Sequence, residues 1–358
     1  MSALASSAPT RGCALVAGAL GLVGARVLET LHAEGWQTIG VARAKAPSSA
    51  RHQHLQLDLL DAAACREQLA AQSRRVTHAF FAARAGDPDP SEEVRLNLAM
   101  LTNLIDVLDH PGGALAHVNL VHGTKWYGSH LGPYTTPARE DDARCLAPLF
   151  YYAQQDEIVR RQQGKSWTWS AVRPHIVLGV ASHSPYNCIT LLGAYGSLCA
   201  AQGVPLAFPG SRAAFESVSQ ATDAGLLARA MIWCATSAGA ANHAYNVING
   251  DYFRWRNVWP RLAEFFGVAP GPVRPMSLQR DLGGASPLWD AIVADHGLQP
   301  VPLKQLANWQ FGDFLFGAGW DDMSSTVKLR QRGFHEALAT EEVMLGHLAA
   351  MRASRLIP

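Results

Sequence analysis

The chain has 358 residues, 48% of them apolar and 16% charged, with a formal net charge of +1 at pH 7. That balance describes a globular protein with a sizeable core, either one large α/β unit or two linked lobes, and excludes a disordered chain. A charge near zero and the lack of a basic stripe leave neither nucleic acid nor an anionic membrane as an expected partner.

The first eleven residues, MSALASSAPTR, are small and polar and lack the apolar core of a signal peptide. No run of 18 or more apolar residues follows, so no membrane span is expected. The chain then alternates strand and helix patterns. CALVAG (13–18) reads as a strand and ARVLETLHAEG (25–35) as a helix, with Val27, Leu28 and Leu31 on one face and Gly35 as its stop. WQTIGVAR (36–43), HLQLDL (54–59) and HAFFAA (78–83) read as further strands, followed by a long helix through 92–110. AHVNLVHG (116–123) is a fifth strand, and YYAQQDEIVRRQQ opens the next helical stretch. Strand and helix alternating at this spacing predict a Rossmann-type, doubly wound parallel sheet covered by helices on both faces. After about residue 180, Gly, Pro and aromatic residues become dense, as in SPYN (184–187) and FRWRNVWPRLAEFF (253–266). This predicts a nucleotide-binding domain over 12–180 and a smaller, mostly helical substrate lobe over 181–358. HAYNVING (243–250) is read as a strand returning to the main sheet.

The six cysteines, Cys13, Cys65, Cys145, Cys188, Cys199 and Cys234, are scattered without a CxxC pair. Reduced thiols in a cytoplasmic protein are expected, with no disulfide framework. His52/His54 and His122/His130 lack companions at metal-ligand spacing, so no metal is expected. The tryptophans of FRWRNVW recur at helical spacing and read as core.

Gly18-Ala-Leu-Gly21-Leu-Val-Gly24 joins the first strand to the first helix. The first glycine permits a tight turn, the second lets backbone approach a pyrophosphate, and the third lets helix and strand pack closely. Leu22, Val23 and Gly24 then offer helix N-terminal N–H groups to an anion. An ordinary tight turn is the competing reading. The second strand ends in Val41-Ala-Arg43-Ala-Lys45, with Arg51 beyond and no acid among them. A carboxylate here would hold a ribose 2′-hydroxyl, whereas a guanidinium grips a 2′-phosphate, so NADPH is expected over NADH. Solvated loop charges are the alternative. Asp58 and Leu59 close the third strand, where Asp58 either touches the adenine or caps the following helix.

Lys125 follows the fifth strand in Val121-His-Gly-Thr-Lys125-Trp126-Tyr127, and Tyr151 opens a helix 26 residues later. In a doubly wound sheet the carboxyl ends of the strands line the ligand crevice, which places Lys125 there. Taken alone, Lys125 reads as a solvated lysine and Tyr151 as an aromatic anchor for its helix. The position four after Tyr151 is Gln155, so the tyrosine–lysine pair one helical turn apart, common in such reductases, is absent.

GTKWYG, a loop ending in Glu140-Asp141, then Arg144 and LFYYAQQDEI together resemble the progesterone 5β-reductase/iridoid synthase family, atypical members of the short-chain dehydrogenase/reductase superfamily. That family carries a TGxKHYxGPF-like segment, an ED…PRL segment and an NFYYxxED segment. WTWSAVRPHIVLG (167–179), LAFPGSRAAFES (206–217), HAYNVINGDYFRWRNVWPRLAEFFG (243–267), NWQFGD (308–313) and the terminal RLIP are similar to its later segments. Trp126 stands where the family often has His, the loop 129–137 is rearranged, and Leu149 replaces Asn.

The resemblance implies that Lys125 and Tyr151 are the catalytic pair and also touch the cofactor. It implies that the Val177 backbone faces the nicotinamide amide, and that Trp126, Tyr127, Asn187 and Phe311 line the substrate pocket. It further implies hydride transfer from NADPH to the β-carbon of a small hydrophobic α,β-unsaturated carbonyl compound, and a homodimer. Carbonyl reduction on the same scaffold and a catalytically silent NADPH sensor are the competing readings. Sugar epimerase chemistry is disfavoured because no YxxxK occurs in the chain.

Overall fold

The computed structural model describes residues 12–181, 184 and 186–358. The segment 1–11, in which no signal peptide is read, and part of SPYN lie outside the described residues.

Strand β1 (Cys13–Ala17) is apolar at every position and buried throughout, so it belongs at the centre of a sheet covered on both faces. Helix α1 (Leu22–Ala33) buries Leu22, Gly24, Val27, Leu28 and Leu31. It starts three residues earlier than the periodicity suggests, because the last residues of the glycine turn are already helical. β2 (Gln37–Ala42) and β3 (His52–Gln56) follow. β3 sits toward the amino end of its expected span: Leu57 and Leu59 are buried, but Asp58 turns the chain by accepting the Leu60 N–H at 3.0 Å. Helix α2 (Ala62–Ser73) buries only Cys65, Leu69 and Ser73, too sparse a stripe to show in the sequence. Its start is fixed by Asp61, whose carboxylate accepts from Ala63 and Ala64 N–H groups.

β4 (Val76–Phe81) leads to α3 (Pro90–Leu108), which is capped by Asp89 with Pro90 in its first turn. β5 (His117–Val121), α4 (Phe150–Gln162) and β6 (Thr168–Pro174) complete the alternation. Beyond lie β7 (Ile176–Leu178), α5 (Cys188–Gln202), β8 (Leu206–Phe208), β9 (Ala221–Asp223), β10 (His243–Val247) and β11 (Pro270–Val273).

The main sheet has seven strands in the order β10-β6-β5-β4-β1-β2-β3. Neighbours from β3 through β6 pair in parallel. The return strand expected near 243–250 is therefore present at the sheet's edge. Asn242, in a left-handed conformation (φ 61°), anchors its start by exchanging hydrogen bonds with the Trp169 backbone, at 2.6 Å and 3.1 Å.

Two compact units divide the chain, and not by a single cut. The first runs through His122 and takes in Leu146–Val172 and Ala228–Tyr245; the second comprises Gly123–Cys145, Arg173–Leu227 and Asn246–Pro358. The first holds the sheet core. The second is built on helices and two small parallel pairs, β7 with β9 and β8 with β11. Its core is an aromatic cluster in which Phe208 packs against Phe215, Trp255, Trp259 and Phe316 with ring centroids 4.9–6.3 Å apart. The tryptophans of FRWRNVW are core, as their spacing predicts, and Trp259 donates its indole N–H to Leu206 O at 2.8 Å.

Candidate active site

The turn after β1 is built from backbone. Gly18 has φ 80°, and a Cβ added there would lie 2.7 Å from Ala82 O. A Cβ on Gly24 would stand 2.2 Å from Gly18 O. Both positions therefore exclude any side chain, whereas at Gly21 the only near neighbour of an added Cβ is Gly18 O at 3.4 Å, which leaves its outer side open. The Gly18 and Ala19 amides both donate to Val41 O, at 3.0 and 3.1 Å.

Gly21 is the N-cap of α1, without a capping side chain and with no acid in the first turn. The N–H groups of Leu22, Val23 and Gly24 thus face outward at the positive end of the helix dipole. These residues fit the pyrophosphate of a dinucleotide.

Arg43, Lys45 and Arg51 are exposed on the loop between β2 and β3. Among the described residues, neither Arg43 nor Lys45 is in an ion pair. Asp58 shapes its own turn, and Asp61 supplies the cap of α2. Leu59 is buried, and its carbonyl accepts from Asn103 Nδ2 at 2.8 Å.

Tyr151 lies in the first turn of α4, whose N-cap residue Leu149 makes no side-chain cap. Its ring stacks on His122, at 4.9 Å between centroids and 29° between planes, and meets Phe150 edge-on at 4.5 Å. Burial pushes the phenol up to about 12, opposed by the positive charge of Arg84 and aided by the negative charge of Glu93. Tyr151 is therefore a neutral O–H donor at ordinary pH. His122 is buried at the end of β5, where its backbone N–H donates to Val172 O at 2.8 Å.

Around it, Asn97 of α3 is fully buried and exchanges hydrogen bonds with the Ala85 backbone after β4. Gln154, one turn from Tyr151, donates to Asn97 O at 3.0 Å and so ties α4 to α3. Sequence reasoning weighed His122 only as a metal ligand, and passed over Asn97 and Gln154. For His122, its place at the carboxyl end of a central strand was the available signal.

In the second unit, Thr124–Tyr127 forms a 3-10 turn directly after β5. Lys125 Nζ lies 5.8 Å from the centroid of Phe314, which is half exposed. Trp126 and Tyr127, expected to face substrate, are 3% and 7% exposed. The Trp126 ring carries the Arg173 guanidinium at 3.7 Å and that of Arg144 at 5.2 Å. Tyr127 donates its O–H to Asn246 Oδ1 at 2.6 Å and accepts from Arg173 at 3.0 Å, and burial pushes its phenol up to about 12. Arg173 also donates to Glu140 O at 2.9 Å, while the Asn246 N–H donates to the Glu140 carboxylate at 2.8 Å.

Asn187 is buried and caps α5, accepting from the Ile189 and Thr190 N–H groups. Phe311, on helix Trp309–Gly317, meets Tyr186 edge-on at 5.7 Å. Val177 lies in β7, in register with Thr222 of β9. His175 stands between Ser324, at 2.9 Å, and Asp322, at 3.6 Å, in the order of a hydrolase triad. Ser324 is fully buried, so no nucleophile is reachable there. Among the described residues no group of three or more His, Cys, Asp or Glu side chains could hold a metal ion, and no helix is long and apolar enough to cross a membrane.

A doubly wound parallel sheet, with glycines forced by close packing at its first crossover, is the Rossmann-type fold of the short-chain dehydrogenase/reductase superfamily. The sequence matches the PRISE-like Rossmann-fold domain over residues 53–358, and the chain belongs to that family. It is 33% identical to an (S)-8-oxocitronellyl enol synthase of Camptotheca acuminata and 31% identical to the 3-oxo-Δ(4,5)-steroid 5-β-reductase of Arabidopsis thaliana, each comparison covering 96% of this chain and 93% of the relative. Among solved structures, a UDP-glucose 4-epimerase from Thermotoga maritima superposes with a TM-score of 0.68 at 13% identity, covering 96% of this chain and 99% of that one. WbmH of Bordetella bronchiseptica, solved in complex with NAD+, gives 0.65 at 14%, covering 95% and 98%. Identities this low speak for the fold alone.

Proposed function

We propose that the protein is an NADPH-dependent reductase that saturates the C=C bond of α,β-unsaturated carbonyl compounds. The observation that carries this reading is the Tyr151 phenol, held neutral at the start of α4 against His122. The relative named a 3-oxo-Δ(4,5)-steroid 5-β-reductase acts, by its name, on a substrate of this type, an enone. The absence of any acid from the loop bearing Arg43, Lys45 and Arg51 supports NADPH over NADH.

Bound NADPH supplies a hydride, which adds to the β-carbon of the substrate. The π-electron pair of the C=C bond shifts, charge collects on the carbonyl oxygen as an enolate, and a proton from water reaches the α-carbon. Tyr151 donates its O–H to that oxygen and stabilises the charge as it forms. Lys125 is the accompanying cation by family likeness. Leu22, Val23 and Gly24 hold the pyrophosphate through their N–H groups.

The test is incubation with NADPH and a panel of enones and ketones, with products identified by mass spectrometry. Saturated ketones are the expected products. Allylic alcohols would mean hydride delivery to the carbonyl carbon, and NADPH binding without oxidation would mean a sensor. Tyr151→Phe should lower turnover by about 10²–10³ while leaving the NADPH Kd nearly unchanged. Unchanged turnover in that variant would remove Tyr151 from the mechanism.

A further inference from the structure

The loop bearing Arg43 and Lys45 is not left to find its own conformation. Its return limb is pinned to β3 through backbone and one serine hydroxyl: Ser49 N–H donates to His52 O at 2.7 Å, His52 N–H to Ser49 O at 3.2 Å, and His54 N–H to Ser48 Oγ at 2.9 Å. Its outgoing limb is pinned by two side chains of the same strand. His54 Nε2 lies 2.9 Å from Ala44 O, and Gln56 Nε2 donates to Arg43 O at 3.0 Å.

A carbonyl can only accept, so the His54 proton on that side sits on Nε2. The other ring nitrogen, Nδ1, is buried and has no hydrogen-bond partner among the described residues. The imidazole is thus committed to the loop. Space for it comes from β2, where Gly40 stands in register with His54 and an added Cβ would approach His54 Nδ1 to 3.4 Å and His52 Cε1 to 2.9 Å.

We infer that His54 and Gln56 are positioning residues that set cofactor choice, by fixing the Arg43–Ala44 peptide carbonyls so that Arg43 and Lys45 present their charges to a ribose 2′-phosphate. This rests on the NADPH reading above and deepens it. An arginine on a free loop pays conformational entropy to grip a phosphate; one whose backbone is already fixed pays less. The two side chains touch the loop carbonyls only from β3, so their effect reaches the cofactor through Arg43 and Lys45. It falls on the 2′-phosphate and leaves recognition of the common dinucleotide unchanged.

The test measures NADPH and NADH dissociation constants by fluorescence titration for wild type, Arg43→Ala, His54→Leu, Gln56→Met, the His54→Leu/Gln56→Met double variant, and His54→Gln, whose amide nitrogen restores the donor. Each lost hydrogen bond is expected to weaken NADPH binding up to about tenfold. NADH binding should stay within about twofold, and His54→Gln should recover most of the loss. Equal weakening of both cofactors, or an unchanged ratio, overturns the clamp. Arg43→Ala separates the two ideas. If it leaves the ratio unchanged, the phosphate-gripping role of Arg43 fails, and the clamp falls with it. If it collapses the ratio while the His54 and Gln56 variants do not, the clamp alone is wrong.

Discussion

Two short turns leave the carboxyl ends of parallel strands, and they are made of opposite materials. The turn after β1 works by what is missing: Gly18 and Gly24 have no Cβ because backbone occupies the space. The turn after β5 works by what is added, since Trp126 and Tyr127 are long side chains buried against Arg173 and Asn246. A turn made of backbone has its constraints within a few residues. A turn made of side chains depends on partners such as Asn246, 119 positions away. One site is therefore local in cause and the other is a product of the whole second unit.

The largest expected effect comes from filling the first turn. Gly24→Val places a Cβ 2.2 Å from Gly18 O, with backbone that cannot swing aside. Dinucleotide affinity should fall by about 10³ or more, because the helix N-terminus is displaced from its anion. Wild-type affinity in this variant would break the contrast. Next in size, Arg173→Met removes the cation stacked on Trp126 and the hydrogen bonds to Tyr127 and Glu140 O. Stability should drop by about 3 kcal/mol, read as a lower denaturation midpoint. Dinucleotide affinity should hold, because this turn's role is to brace the second unit. If affinity falls with stability intact, the second turn is no brace.

The effect that is smallest near neutral pH concerns the root of β5. His117 is buried between Thr168 and Ser170, and burial together with His78 depresses its pKa to about 3. Below pH 6.5 the unfolded chain takes up a proton that the folded protein refuses. The stability present above that pH is thus lost as pH falls toward 3, at up to about 1.4 kcal/mol per pH unit. His117→Gln should flatten the acid limb of a stability–pH curve. An unchanged limb would mean that His117 does not report on the strand.

The same contrast explains what the sequence disclosed. β1 is legible because a strand buried on both faces must be apolar throughout, and Gly18 and Gly24 because no other residue fits the crossover there. The return strand β10 shows in HAYNV as a short run that is buried from Ala244 to Val247. The boundary of β3 slips because nothing in HLQLDL marks where Asp58 turns the chain. Arg173 near the end of β6 gives no hint that it lies 1% exposed on a tryptophan face, since buried arginines are uncommon. His122 is silent for a related reason: a ring stacked on another ring leaves no spacing signature. Tyr127 and Asn187 look like candidate ligand groups when read singly. Their polar atoms have partners in Asn246, Arg173 and the start of α5 that only the fold supplies.

The carbonyl of Val41 receives the amide protons of both Gly18 and Ala19. Those protons can trade with deuterium only when the end of β1 parts from the end of β2, an opening of the sheet's centre. Uptake at the two positions should therefore be slow and concerted in the free protein, and scarcely slower once dinucleotide is added. The turn is finished before its ligand arrives.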